Sequence, residues 1–128
     1  MPLFDIAGPA SIAARELGSW GGAFLLIVIV FLEAFVLRAL KWGNFRRALI
    51  ASAVMNAVTT LLGVFLIGWL DTFGPLLGLL LCWALSVGIE GGLLLALNRG
   101  RARANWLGSL AANTASYILL AVMLLPSF

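Results

Sequence analysis

The sequence predicts an all-α polytopic membrane protein, with four transmembrane helices arranged as two hairpins of the same orientation. Three observations carry this. Of the 128 residues, 63% are hydrophobic and only 10% are charged, with a mean hydropathy of +1.13. A soluble domain of this length needs more charge to cover its surface. Four apolar runs approach the ~20 residues needed to cross the hydrocarbon core. Finally, two of those runs each carry a glutamate followed by an asparagine at the same distance, Glu33 by Asn56 and Glu90 by Asn113.

Residues 1–19 form an N-terminal segment with Asp5, Arg15 and Glu16 among small and apolar residues. It lacks the basic start and separate apolar region of a signal peptide. The expectation is a tail, or a short interfacial helix from about Pro9 to Leu17 with Ile12, Ala13 and Leu17 toward lipid. The first hairpin occupies residues 20–70, with spans from about Trp20 to Trp42 and from about Arg47 to Leu70. The second occupies residues 75–128, with spans from about Pro75 to Leu97 and from about Asn105 to Leu125. The connection Lys41–Arg47 is basic, Asp71–Gly74 is short and acidic, and Asn98–Ala104 is strongly basic. The positive-inside rule puts both basic connections in the cytoplasm and both termini outside. Trp20, Trp42, Trp69 and Trp106 fall near span ends, where an aromatic belt is expected. The setting is an integral membrane protein, bacterial inner or thylakoid.

Composition also excludes chemistry. The chain has no histidine, which removes His-ligated haem and His-type metal sites. Cys82 stands alone in an apolar run and reads as a packing residue. There is no Ser–His or Cys–His pair and no phosphate-gripping glycine loop, so the reading is non-enzymatic. The net charge of +3 is explained by topology, and nucleic acid is not an expected partner.

Shifting the chain by 57 places aligns the two hairpins without a gap. Glu33 falls on Glu90, Gly43 on Gly100, Arg46 on Arg103, Ser52 on Ser109 and Asn56 on Asn113, while Thr59 falls on Ser116. Leucine matches are cheap in such a composition; these are not. Since each unit is a two-helix hairpin, the second enters the membrane as the first did. The expected relation is a pseudo-two-fold axis along the membrane normal.

Within each hairpin the glutamate and asparagine are equally far from the middle of the basic connection. At ~1.5 Å per residue both lie roughly 14–17 Å from it, near mid-bilayer. A polar centre of Glu33, Asn56, Thr59, Glu90, Asn113 and Ser116 is therefore expected. Ser52, Asn56, Thr59, Thr60 and Gly63 form one stripe along the second span, Ser109, Asn113 and Ser116 repeat it in the fourth, and Ser86 lies one turn before Glu90. Three uses of the glutamates remain open. A protonated Glu hydrogen-bonded to Asn is a neutral architectural clasp. The same atoms can bind a cation or relay a proton, or ligate an embedded cofactor, whose identity the sequence does not name. A charge at this depth costs at least ~2.5–3.5 kcal/mol, which makes an idle carboxylate expensive.

Two features fall outside the repeat. Arg38 aligns with Leu95 and is read as snorkelling to the interface, with pairing to a carboxylate as the alternative. Ala84, Gly88, Gly92 and Ala96 recur every fourth residue on the third span, a small-residue ridge that permits close helix contact and points away from Glu90. It is expected to dock another copy or a larger partner in preference to the first span.

Glu33-Ala34-Phe35-Val36-Leu37 and Asn56-Ala57-Val58-Thr59-Thr60-Leu61-Leu62-Gly63 resemble the hairpin of cyanobacterial filament-integrity membrane proteins of the FraC type. Those have a Glu-Ala-x-Val-Leu segment, then a span with Asn-x-x-(Ser/Thr)-x-x-Gly. The match covers about a third of the chain. The second hairpin keeps Glu90, Asn113 and Ser116, but Leu119 and Leu120 stand where the glycine is needed. The resemblance implies a structural role in a septal-junction membrane complex and no catalytic residue. The leading reading is thus a structural or accessory membrane-complex component, acting as a homo-oligomer or within a larger assembly. The alternative is a small cation or proton transporter or channel using Glu33 and Glu90.

Overall fold

The computed structural model describes residues 20–124, and the segment expected to form an interfacial helix lies outside them. Four helices follow in order: α1 (Trp20–Ala39), α2 (Phe45–Leu70), α3 (Pro75–Leu97) and α4 (Ala102–Leu124). Single 3-10 turns, Asp71–Phe73 and Arg99–Arg101, precede α3 and α4. Among the described residues there is no strand. All four helices are long and apolar enough to cross a membrane. Even α1, with 20 residues, rises about 30 Å, the thickness of the hydrocarbon core.

The helices form a four-cornered ring. Helix α1 packs on α2 and α4, and α3 packs on α2 and α4; the diagonal pairs stay apart. Between 17% and 28% of each spanning window is buried, so most of every helix faces outward. That outer surface carries Phe24, Phe35, Leu61, Phe65, Leu76 and Val122, whereas the interior holds Glu33, Ser52, Asn56, Glu90, Ser109 and Asn113. An apolar exterior around a polar centre suits hydrocarbon as solvent, because the surface then demands no hydrogen bonds.

Three helix ends have a clear local cause. At the end of α1 the Trp42 N–H donates to the Leu37 carbonyl (2.9 Å) and the Lys41 N–H to that of Arg38 (3.0 Å). This is the Schellman pattern, with Lys41 in the left-handed region at φ 57°. The hydrophobic contact that accompanies the motif is also present, since Leu37 and Trp42 share one buried cluster. The Asn44 side chain then accepts from the Arg47 N–H (2.8 Å) and starts α2. On the opposite side, Gly74 at φ 76° allows the turn and Pro75 opens α3. These caps explain small shifts from the expected spans. Helix α1 stops at Ala39 because the chain reverses at Lys41, and α2 begins at Phe45 because Asn44 caps it.

One expectation needs correction. Trp42 is not in an aromatic belt: it is 1% exposed, and its indole N–H donates to the Asn105 carboxamide oxygen at 2.7 Å. The Asn105 amide in turn donates to the Asn98 carbonyl (2.8 Å). A tryptophan just past a helix end can face lipid or cap the bundle, and here a buried acceptor draws it inward. Trp69 and Trp106 are exposed, as a belt requires.

Two arginines tie the hairpins together at this basic end. Arg47, at the start of α2, donates to the Leu97 carbonyl that ends α3 (3.1 Å) and stacks its guanidinium 5.3 Å from the Trp42 ring. Arg101, before α4, donates to the Lys41 and Trp42 carbonyls beyond α1 (3.1 and 3.3 Å). Each cation thereby meets carbonyls at the negative end of a helix belonging to the other hairpin.

Replacing Trp42 with Phe keeps an aromatic ring but removes the indole N–H and strands the Asn105 oxygen. The expected loss is about 1–3 kcal/mol, the cost of a buried unpaired polar group. Thermal unfolding in detergent, compared with the exposed control Trp69→Phe, measures it. Equal melting temperatures for the two variants would show that the Trp42–Asn105 bond contributes nothing.

Candidate functional site

All six residues of the expected polar centre come together. In the first hairpin the Asn56 amide donates to Glu33 Oε2 at 2.5 Å; in the second the Asn113 amide donates to Glu90 Oε2 at 2.6 Å. The asparagine orientation is fixed by a second bond on the same nitrogen, to the Ser52 carbonyl in one case and the Ser109 carbonyl in the other, both at 3.0 Å. A carbonyl accepts only, so the amide nitrogen must face it. The serines back-bond across their hairpins too, Ser52 to the Val30 carbonyl (3.0 Å) and Ser109 to that of Val87 (2.8 Å). The same local hydrogen bonds thus recur at a 57-residue interval.

The hairpins also reach across to each other. Thr59 on α2 contacts Glu90 Oε1 on α3 at 3.2 Å, while Ser116, its counterpart on α4, lies beside the Glu33 carboxyl on α1 and donates its hydroxyl to the Asn113 carbonyl at 3.1 Å. Both carboxyls lie inside the ring of helices. Each is 1% exposed. The centre therefore links all four helices, filling the space that the diagonal pairs leave between them.

Hydrogen counting bears on the charge of this centre. A hydroxyl has one hydrogen. Ser52 faces both the Val30 carbonyl and Glu33 Oε2, each at 3.0 Å. Thr59 faces the Met55 carbonyl at 2.9 Å as well as Glu90 Oε1. When Thr59 donates to the carbonyl, a proton on Glu90 Oε1 completes its remaining contact while Oε2 accepts from Asn113. A neutral acid thus fits every contact at Glu90, whereas at Glu33 both Ser52 and Asn56 meet the one oxygen Oε2. Among the described residues no basic side chain pairs with either carboxyl; Arg38 is exposed on the outer face of α1. Nor does any group of three or more Asp, Glu, Cys or His gather there that could hold a metal ion.

The small residues divide in a way the spacing did not reveal. Ala84, Gly88, Gly92 and Ala96 are exposed, and a Cβ at Gly88 or Gly92 would meet nothing within 4 Å. The close approaches occur at other glycines. A Cβ on Gly91 would collide with the Trp106 ring, and one on Gly108 would come within 2.9 Å of Leu37. Their counterparts are Ala34 and Ala51, both buried. The usable signal was small residues next to the polar ones, Gly91 after Glu90 and Gly108 before Ser109. The sequence reading also passed over Tyr117, whose hydroxyl pairs with Ser86 at 3.0 Å and extends the polar thread beyond Glu90.

Comparison of the chain with protein-family models, curated proteins and solved structures finds no match.

The double change Glu33→Gln with Glu90→Gln supplies an acceptor for each asparagine and, at position 90, a donor for Thr59. It is expected to keep the wild-type melting temperature. Leu at both positions removes the acceptors for Asn56 and Asn113 and should cost about 1–3 kcal/mol per stranded group. Thermal unfolding of the two double variants in detergent distinguishes them, and equal stability would show that these contacts do not hold the bundle.

Proposed function

We propose that this chain is a small non-enzymatic integral membrane protein, a structural or accessory component of a membrane complex. Its Glu/Asn centre is a neutral clasp, and its outer faces assemble. The observation that carries the reading is the contrast between two outer faces at matching positions. Helix α3 presents Gly88 and Gly92, while α1 presents Phe31 and Phe35 at the positions 57 residues earlier. Both phenylalanines are exposed. Phe45 packs tilted against Phe31 and Phe35, with ring centroids 6.5 and 5.1 Å away, and its counterpart is Ala102. Three aromatic rings on one face thus correspond to Gly, Gly and Ala on the other.

These residues lie equally far from the basic connections, so rings and gaps fall at one depth. A parallel neighbour in the same membrane brings them together with no vertical shift. The small residues admit the rings, and packing of this kind drives helix association in lipid. Such a contact is heterologous, one face against a different face, and it builds rings or filaments. The resemblance of the first hairpin to septal-junction proteins accords with such a role.

A second reading rests on the presence of two buried carboxyls in one polar centre. A cation or proton carrier needs a carboxyl that cycles through a charged state with access to water. The clasp needs neither.

The orientation follows the positive-inside rule, with both termini away from the cytoplasm. Cysteines introduced by Gly43→Cys and Gly100→Cys are expected to resist a membrane-impermeant thiol reagent in intact cells and to react in inverted vesicles. Labelling of both from outside reverses the topology.

Gly88→Leu, Gly92→Leu and the pair Phe31→Ala with Phe35→Ala should each lower the assembled fraction in mild detergent several-fold while leaving insertion intact. Native mass spectrometry reads the assembly, and normal assembly of all three variants contradicts the face-to-face contact. Proteoliposome flux tests the second reading. A wild-type ion flux lost in the double Gln variant establishes transport in place of the clasp.

A further inference from the structure

Two grooves open at the basic end, one at each seam between the hairpins. The first, about 320 Å³, lies between the start of α2 and the end of α3, with Arg46, Arg47, Ile50 and Leu97 in its wall. The second, about 430 Å³, lies between the end of α1 and the start of α4, with Leu40, Arg101, Arg103 and Leu107 in its wall. The grooves correspond at the 57-residue interval, Arg46 to Arg103, Ile50 to Leu107 and Leu40 to Leu97.

Each groove holds one engaged arginine and one free one. Arg47 is bound to the Leu97 carbonyl, and Arg101 to those of Lys41 and Trp42. Arg46 and Arg103 are exposed and make no hydrogen bond or ion pair among the described residues. Positive-inside topology accounts for basic residues at this end. It does not account for an uncommitted guanidinium at the same point of two equivalent grooves. Below each arginine the wall is apolar. Ile50 and Leu107 sit about one helical turn beyond Arg46 and Arg103, ~6 Å deeper at ~1.5 Å per residue.

We infer that each groove is a binding site for an anionic phospholipid. The phosphate meets Arg46 or Arg103, and an acyl chain lies along Ile50 and Leu97 in one groove or Leu107 and Leu40 in the other. A guanidinium at the interface above an apolar wall between helices matches this ligand class. A soluble anion would leave the apolar wall uncovered, and a nucleic acid would need a continuous basic track in place of two separate clefts. Each groove is lined by one hairpin and met by a single residue of the other, Leu97 or Leu40, so the lipid touches the seam that Arg47 and Arg101 already cross. The inference requires that the chain spans a membrane, and it is independent of whether copies assemble.

The test uses the full chain, purified in mild detergent and exposed to phosphatidylglycerol or phosphatidylcholine of identical acyl chains. Native mass spectrometry counts retained lipids. The expected result is two phosphatidylglycerols per chain in clear excess over phosphatidylcholine. Arg46→Gln or Arg103→Gln should weaken one of the two sites by roughly fivefold, as each basic residue near the surface contributes. The double variant should retain phosphatidylglycerol only at the phosphatidylcholine level. The single variants keep the test readable if the double variant does not fold, because each leaves one groove intact. Equal retention of both lipids by the wild type overturns the proposal, as does undiminished phosphatidylglycerol retention in both single variants. Displacement of the lipid by millimolar inorganic phosphate also overturns it, since the sites then read a phosphate anion and not a lipid.

Discussion

The hydrogen bonds from Asn56 to Glu33 and from Asn113 to Glu90 set the terms for the rest of the bundle. In hydrocarbon no water completes a polar group that the protein leaves unpaired. One interhelical hydrogen bond is worth only ~0.6 kcal/mol, because an inserted but unassembled helix also finds partners. Stranding a carboxyl costs several times as much, ~2.5–3.5 kcal/mol if it is charged. The penalty for wrong pairing therefore outweighs the gain from right pairing. The centre acts chiefly to select one helix arrangement, and the diagonal distance in the ring is the width that two carboxyls and their partners occupy.

The remaining contacts follow from holding that width. With polar side chains at mid-depth, adjacent helices must come close beside them. That is where Gly91 receives the Trp106 ring and Gly108 receives Leu37. At the basic end the width is closed by Leu37, Leu94, Met55 and Trp42, all buried. The Trp42 N–H in that apolar plug needs an acceptor, and Asn105 supplies it. The arginine straps then join the hairpins at the interface, where a guanidinium keeps contact with water while its hydrogens reach helix-end carbonyls. The opposite end has no equivalent plug among the described residues, and there Ser86 and Tyr117 continue the polar thread instead.

What the sequence disclosed, and what it hid, divides by the kind of signal. The four spans and the polar centre were legible because glutamate and asparagine are costly in hydrocarbon, and costly residues at matched spacing carry information. The caps moved the helix ends by a few residues, since Schellman geometry at Lys41 uses a non-glycine residue and leaves little trace in the pattern. Trp42 was misread because tryptophan near a span end has two stable outlets, lipid interface or buried acceptor. Only the position of Asn105, 63 residues away, decides between them. The straps were hidden for a similar reason: a basic connection gives its charge for topology and its hydrogen bonds for structure at once, and composition records only the first. The ridge of Ala84, Gly88, Gly92 and Ala96 advertised close packing, yet within one chain those residues are exposed and a Cβ on Gly88 or Gly92 would meet nothing. Spacing shows that a helix can be approached closely, not by whom.

The two hairpins agree inside and differ outside, and this difference has physical content. Interior positions are coupled in pairs: a change at Glu33 leaves Asn56 and Ser52 to be satisfied, so equivalent positions are held to the same chemistry. Outer positions answer only to lipid, which accepts Phe31 and Gly88 with equal ease. On the assembly reading, that freedom gives the bundle a direction. A bundle with identical outer faces would have no means of telling one side from the other. Three rings on one side and three small residues at the corresponding places on the other make the two sides complementary while leaving the clasp untouched. The interior then needs the near-symmetry of paired carboxyls, and the exterior needs its loss. Both requirements are met in one chain because helices packed as hairpins separate inward-facing from outward-facing positions residue by residue.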